Sequence, residues 1–241
     1  MNHTLGILGG LGPRATAHFL SSIYSSRNLV CEQEQPRILV DSDPTFPDRT
    51  SSLLKGSSGA LVDKTEQALQ GLVRGGASKL LICCYTLHQV VPLLSPDTRE
   101  KVFSLVDLAL SGIAEKRERT LLLCTLGART LGVFESSPYW PSARPWICFP
   151  SDGDQELVHG LIYQLKAGVQ PRSVLDKLSA LSENYPVDSL TLGCTDLHTL
   201  SAESEGGFLF DPLLSLVDRI HRGDWVLPTA VACRVPEVAR A

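Results

Sequence analysis

The sequence predicts a mainly parallel α/β protein built from two similar lobes. Short apolar runs rich in Leu, Ile and Val alternate with amphipathic stretches, the β-α alternation of a parallel sheet covered by helices. Gly, Pro and Asp bound these runs, where the chain must turn. The pattern Cys-x-x-Leu-His occurs twice, as Cys84-Tyr85-Thr86-Leu87-His88 and Cys194-Thr195-Asp196-Leu197-His198, 110 positions apart in a chain of 241. Each copy follows an apolar strand and opens a helix, as two equivalent lobes facing one cleft would require.

Taken in order, the first half reads as strand 4–8, helix 16–27, strand 36–40, helix 59–75, strand 79–83 and helix 95–116. The charged turn Glu115-Lys116-Arg117-Glu118-Arg119 then separates the halves. The second half reads as strands 120–124 and 146–149, helices 155–166 and 172–185, and strands 189–192 and 208–209. A last helix, 213–221, is expected to cross back to the first lobe. The expected domains are therefore residues 1–115, completed by 213–222, residues 116–212, and a tail at 223–241 with two prolines and no clear periodicity. Crossovers in such a fold are right-handed, and functional groups gather at the carboxyl ends of the strands.

Composition narrows the function. With 43% hydrophobic residues the chain can bury a sizeable core. The net charge of −4 and scattered basic residues argue against nucleic acid as a partner. The opening Met1-Asn2-His3-Thr4 has no signal-peptide pattern, so a cytoplasmic protein is expected. The most apolar stretch, 79–94, is broken by His88, Gln89 and Pro92 before bilayer length, so no membrane partner is expected. Seven cysteines, at 31, 83, 84, 124, 148, 194 and 233, show no disulfide spacing. Most are expected to be small buried hydrophobes.

The turn Gly9-Gly10-Leu11-Gly12-Pro13 ends the first strand and lets bare backbone, Gly10 included, approach a ligand. A dinucleotide-binding alternative rests on Gly10-x-Gly12-x-x-Ala15 and Asp41. Against it, Asp41 lies 29 positions past Gly12, where about 20 is usual, and Pro13 removes an N–H at the turn. On the same rim, Arg49 in Asp43-Pro44-Thr45-Phe46-Pro47-Asp48-Arg49-Thr50 suits a carboxylate clamp, or else pairs with Asp48 at the surface. Two cysteines facing each other across a cleft can take a proton from one face of an α-carbon and return it on the other. A helix N-terminus beside each would lower the thiol pKa. Cys84, His88, Cys194 and His198 also make a possible zinc set, although structural zinc favours close ligand pairs in small loop-rich modules.

With these residues in view, the chain resembles the aspartate/glutamate racemase family, most closely its aspartate racemase branch. The similarity lies in Leu5 to Pro13 with Ala15-Thr16, in Pro47-Asp48-Arg49-Thr50, in Cys84-x-Thr86-x-His88 and in Leu192-Gly193-Cys194-Thr195-Asp196-Leu197. The resemblance implies two pseudo-symmetric lobes, a homodimer, and neither pyridoxal phosphate nor metal. It implies Cys84 and Cys194 as the catalytic acid/base pair, with an acidic amino acid as substrate, aspartate first. Substrate contacts are expected from Gly10, Arg49, Tyr85, Thr86, Thr125, Lys166, Thr195 and Asp196. Two departures stand out: Tyr85 replaces the family's usual asparagine, and Ala128 a common threonine. Tyr85 keeps open other carboxylate substrates, a related isomerase or decarboxylase, and a non-catalytic amino-acid or dicarboxylate binding protein of the same fold.

Overall fold

The computed structural model describes residues 4–26, 31–55, 58–204 and 206–227; most of the expected tail, with Cys233, lies outside them. The chain forms two four-stranded parallel sheets flanked by helices. The first half contains β1 (Leu5–Gly9), α1 (Pro13–Ser25), β2 (Ile38–Ser42), α2 (Arg49–Leu54), α3 (Ser58–Arg74), β3 (Lys79–Ile82), α4 (Pro96–Arg99), β4 (Val102–Phe103) and α5 (Leu105–Lys116). The second contains β5 (Thr120–Leu123), α6 (Leu126–Thr130), α7 (Trp140–Ala143), β6 (Ile147–Cys148), α8 (Asp152–Lys166), α9 (Pro171–Ser182), β7 (Ser189–Leu192), β8 (Leu209–Phe210) and α10 (Pro212–Arg222). The strand orders, β2-β1-β3-β4 and β6-β5-β7-β8, are the same order repeated.

The repeat extends to single hydrogen bonds. Just past the first sheet, the Cys83 N–H donates to Leu8 O at 2.9 Å, and at the equivalent place in the second, Gly193 donates to Leu123 O at 2.8 Å. Strands β1, β5 and β7 are buried along their whole length, which is why they read as unbroken apolar runs. Alternate residues face two different cores. Leu8, Leu80 and Ile82 pack outward with Leu61 and Leu69 of α3. Leu121 and Leu123 pack outward with Val158, Leu161 and Ile162 of α8. Leu5, Ile7, Leu81 and Leu122 turn inward to one core that both lobes share. Leu213, Leu216, Val217 and Ile220 of α10 enter that shared core at helical spacing. Each such fully buried side chain contributes about 2 kcal/mol, so the core that welds the lobes also fixes the cleft between them.

The structure corrects several expected elements. The helix at 95–116 is three elements: α4 stops, Val102–Phe103 pair with Leu80 and Leu81 of β3, and Ser104 restarts the helix by accepting the Asp107 N–H at 3.1 Å. The strand expected at 36–40 lies at 38–42, where it aligns from Leu5–Ile38 to Gly9–Ser42. The strand at 146–149 shrinks to Ile147–Cys148 behind a single 3-10 turn. The segments after the two cysteines, Thr86–Leu93 and Thr195–Glu203, wind as 3-10 helices.

Candidate active site

Cys84 and Cys194 stand at equivalent positions, one residue beyond the ladder bonds at the carboxyl ends of β3 and β7. Both line one cleft between the lobes, with Arg49, Tyr85, Thr86, Thr125, Lys166, Thr195 and Asp196. Asp48, Thr50 and Tyr163 complete its wall. Gly10 stands back from this wall. Its N–H donates to Thr16 Oγ1 at 3.0 Å, and a Cβ there would fall 2.3 Å from the Asp43 nitrogen, so its φ of +77° serves a tight turn.

Each glycine turn seats a side chain from the opposite lobe. A Cβ on Gly12 would lie 2.3 Å from Asp196 Oδ1, and one on Gly127 would lie 2.5 Å from Thr50 Oγ1. The place where a dinucleotide's pyrophosphate would meet Gly12 is thus taken by a carboxylate, which removes the ground for the nucleotide reading. The zinc reading fails on the histidines. His88 Nδ1 donates to Cys84 O at 2.9 Å while its Nε2 accepts the Leu105 N–H at 3.1 Å. His198 bonds Asp211 and Ser22.

Two cations converge on one oxygen. Arg49 Nη2 donates to Leu11 O at 2.6 Å, and Lys166 Nζ donates to the same oxygen at 3.1 Å. Arg49 does not pair with Asp48. The Asp48 carboxylate instead caps α2 by accepting the Ser51 N–H at 2.8 Å, and it accepts the Tyr163 hydroxyl from the other lobe at 2.6 Å. Burial works against the Asp48 charge, but these bonds and Arg49 hold its carboxyl below the usual range. The same contact and burial push the Tyr163 phenol up to about 12. His159, Tyr163 and Lys166 form one stripe of α8, of which Tyr163 and Lys166 line the cleft, with His159 Nδ1 accepting the Leu126 N–H at 3.2 Å. Spacings of four and three on one helix are the signal that could have placed Tyr163 beside Lys166.

The two thiols differ in their surroundings. Cys194 Sγ donates to Asp196 Oδ2 at 3.6 Å, and Lys166 Nζ pairs with that oxygen at 2.9 Å. Burial and then the Asp196 charge push the Cys194 thiol well above its ordinary value, with Lys166 opposing. A helix terminus was expected to lower it, but burial and a neighbouring carboxylate win. Burial also works against the Lys166 charge, yet Asp196 and the two thiols hold the ammonium above its usual value. Beside Cys84, the Tyr85 ring turns away from solvent, 2% exposed, and packs on Phe134 with centroids 5.7 Å apart. Its hydroxyl is buried without a partner. Overhead, Thr86 and Thr125 bridge the lobes through their hydroxyls at 3.0 Å, and Thr195 Oγ1 donates to Cys83 O at 3.2 Å. A larger depression of about 460 Å³, around Arg172, Ser179 and Phe208, lies apart from this chemistry. Among the described residues, no helix is long and apolar enough to cross a membrane.

Residues 8–220 match the family model for Asp/Glu/Hydantoin racemase. Among solved structures, aspartate racemase from Picrophilus torridus superposes with a TM-score of 0.78 at 21% identity, covering 92% of this chain and 94% of that one. An aspartate racemase homologue from Pyrococcus horikoshii gives 0.64 at 19% identity, covering 93% and 99%. Glutamate racemase from Francisella tularensis gives 0.58 at 15%, covering 92% and 80%. At these identities the structures speak for the fold. The family match, running from β1 into α10 and taking in both cysteine turns, speaks for the enzyme class: the chain belongs to the Asp/Glu/hydantoin racemase family and is an amino-acid racemase of that pyridoxal-phosphate-independent kind.

Proposed function

We propose that this chain racemises an acidic amino acid or a close derivative, aspartate first, by proton transfer between Cys84 and Cys194. The observation that carries the reading is the convergence of Arg49 and Lys166 on Leu11 O, 2.6 and 3.1 Å away, in a cleft walled by a cysteine from each lobe. Two cations within reach of one oxygen suit a carboxylate, which would replace the carbonyl as their acceptor. A second carboxylate on the substrate side chain would let Arg49 and Lys166 hold one each, with Asp196 already balancing part of the Lys166 charge, hence the preference for a dicarboxylic amino acid.

In the proposed step, a thiolate takes the α-proton from one face, leaving the electron pair of the C–H bond on the α-carbon and its carboxylate. The opposite thiol then gives its proton to the other face and becomes the new thiolate. The roles reverse for the other enantiomer. Burial and Asp196 favour the protonated form of Cys194, so Cys194 is proposed to enter the cycle as the acid. Thr195 bonds the Cys83 carbonyl and Thr86 bonds Thr125 of the other lobe, and these inter-lobe bonds would hold the two cysteine turns in place. A homodimer belongs to the same proposal, on the strength of the family resemblance.

The test is solvent-deuterium incorporation at the α-carbon of enantiopure aspartate and glutamate. We expect exchange with the wild type and its loss in Cys84→Ala and Cys194→Ala. Exchange that survives in both variants would overturn the mechanism. Calorimetric binding without any exchange would favour a non-catalytic binding protein, for which the buried, unpartnered Tyr85 hydroxyl in the cleft wall is the observation. Turnover of malonates or maleate alone would point to a related decarboxylase or isomerase.

A further inference from the structure

Behind Cys194 lies a buried polar network that the proton-transfer reading does not use. Asp211, the N-cap of α10, receives three donors: His198 Nδ1 on Oδ2 at 2.5 Å, Ser201 Oγ on the same oxygen at 2.5 Å, and the Leu213 N–H on Oδ1 at 2.9 Å. The far side of the His198 ring, Nε2, lies 3.0 Å from Ser22 Oγ in α1 of the first lobe. Ser22 Oγ in turn donates to His18 O at 3.0 Å. His198 itself is 0% exposed.

We propose that His198 is a positioning residue, and that its buried hydrogen bond to Asp211 is the strut tying the Cys194 helix to the first lobe. The convergence of three elements on one ring carries it. His198, four residues after Cys194, bonds Asp211 through Nδ1 and meets Ser22 Oγ of α1 through Nε2, and the Asp211 side chain is only 3% exposed. A buried carboxyl in that setting needs its hydrogen bonds made, and His198, Ser201 and the Leu213 N–H make them.

The equivalent position in the first lobe shows why the second is different. There Phe103 is followed by Ser104 and Leu105, and the Leu105 N–H donates to His88 Nε2 at 3.1 Å. A nitrogen that accepts carries no proton, so His88 is neutral. In the second lobe Phe210 is followed by Asp211 and Pro212. Proline has no N–H to offer, and the carboxylate one residue earlier takes the ring instead.

Other groups face the pair. The His18 ring stands edge-on to His198, with centroids 4.8 Å apart; burial and then the His198 charge lower its pKa. Phe19 closes a third side at 5.8 Å. The Tyr85 phenol and the Cys83 thiol both feel the Asp211 charge. Although Asp211, His198 and Ser22 fall in the order of a hydrolytic triad, Ser22 sits mid-helix, where the backbone N–H groups are already bonded, and His198 is sealed from substrate. The network therefore braces and does not attack. It joins the helix after Cys194, the first turn of α10, and α1, whose own first turn follows Leu11 and Gly12 at the cleft.

The strut itself is independent of the racemase reading; only its kinetic consequence rests on it. The test uses the full chain labelled with ¹⁵N-histidine. At neutral pH we expect a low-field, exchange-protected Nδ1 proton on His198, assigned through its loss in His198→Asn, and it should vanish in Asp211→Asn. No such proton in the wild type would overturn the proposal, whatever the enzyme turns over. In solvent-exchange kinetics, Asp211→Asn should lower kcat by about 10–100-fold with KM within about twofold, and Asp211→Glu should recover part of the loss. Wild-type kcat in Asp211→Asn would refute the strut. Should Asp211→Asn fail to fold, Ser22→Ala removes only the first-lobe end and should move kcat the same way by less. If the wild type exchanges no amino acid, that counts against the racemase reading, and the spectrum still decides the strut.

Discussion

The Cys84 turn and the Cys194 turn share strand order, ladder bonds and a histidine four residues on, yet their surroundings differ in charge. After Cys84 comes an apolar, neutral setting: Tyr85 packs inward, Thr86 bonds another threonine, and His88 bonds backbone at both nitrogens. After Cys194 comes a charged one, with Asp196 paired to Lys166, and His198 bonds the Asp211 side chain. The repeat supplies equivalent positions for the two cysteines, and the side chains around them make the two settings unlike. The proposed proton transfer makes use of both, one thiol to each face of the substrate.

The largest test of this difference removes each thiol in turn. Cys84→Ala and Cys194→Ala should each lower racemisation by about 10²–10⁴-fold, the span of one general acid or base. Any residual α-proton exchange should favour opposite enantiomers in the two variants, because each keeps the base for one face. The same enantiomer surviving in both would break the assignment of one cysteine to one face. Chiral chromatography of the recovered, deuterated amino acid reads this directly.

A smaller effect sharpens the electrostatic half of the comparison. Asp196→Asn removes the charge that helps hold Cys194 protonated, while Lys166 stays to favour the thiolate. Alkylation of Cys194 by iodoacetamide at pH 8 should then accelerate, because the reactive thiolate fraction rises, while Cys84 keeps its rate. Peptide mapping by mass spectrometry separates the two sites. Equal acceleration at both would mean that Asp196 controls access to the cleft and not the charge on Cys194.

Cys83 and Cys124 provide the comparison within the cysteines themselves. Burial pushes both thiols up to about 12. A raised acid pKa in the folded state stabilises the fold below the unfolded value of about 8.5, and the contribution disappears as pH rises toward the folded value. Urea midpoints should therefore hold through neutral pH and fall progressively above about pH 9. The decline should be shallower in Cys83→Ala and in Cys124→Ala. A midpoint independent of pH to 10.5 would show that these thiols ionise in place.

Much of this fold was legible because buried parallel strands are written as continuous apolar runs. Thr120–Leu123 and Ser189–Leu192 could be found from their residues alone, while β4, a two-residue strand, was hidden in a run whose spacing also suits a helix. The nine predicted site residues that meet in the cleft came from motifs local in sequence. Gly10 was placed there because a glycine turn usually faces a ligand, and here it is Gly12 that faces across the cleft, onto Asp196. Tyr163 went unnoticed, and Asp48 was read only as a possible partner for Arg49, because their meaning is tertiary: a helix cap and a phenol 115 positions apart become one inter-lobe hydrogen bond only after folding. Pro212 is similar, since a missing N–H matters only once His198 is beside it.

Tyr85 gives the smallest expected effect and tests whether the first turn is as apolar as it looks. Its hydroxyl is buried with no partner, and its ring lies in the shared core against Phe134. Tyr85→Phe deletes only the unsatisfied oxygen, so stability should stay within about 1 kcal/mol of wild type, on the stabilising side. Tyr85→Asn should cost about 3–5 kcal/mol, because a polar side chain and a void would replace a packed ring. If Tyr85→Phe instead raises KM by tenfold or more while the fold keeps its stability, the hydroxyl is recruited when substrate binds. The first turn would then also carry a polar group aimed at the cleft, and the contrast between the lobes would lie in the charges after Cys194 alone.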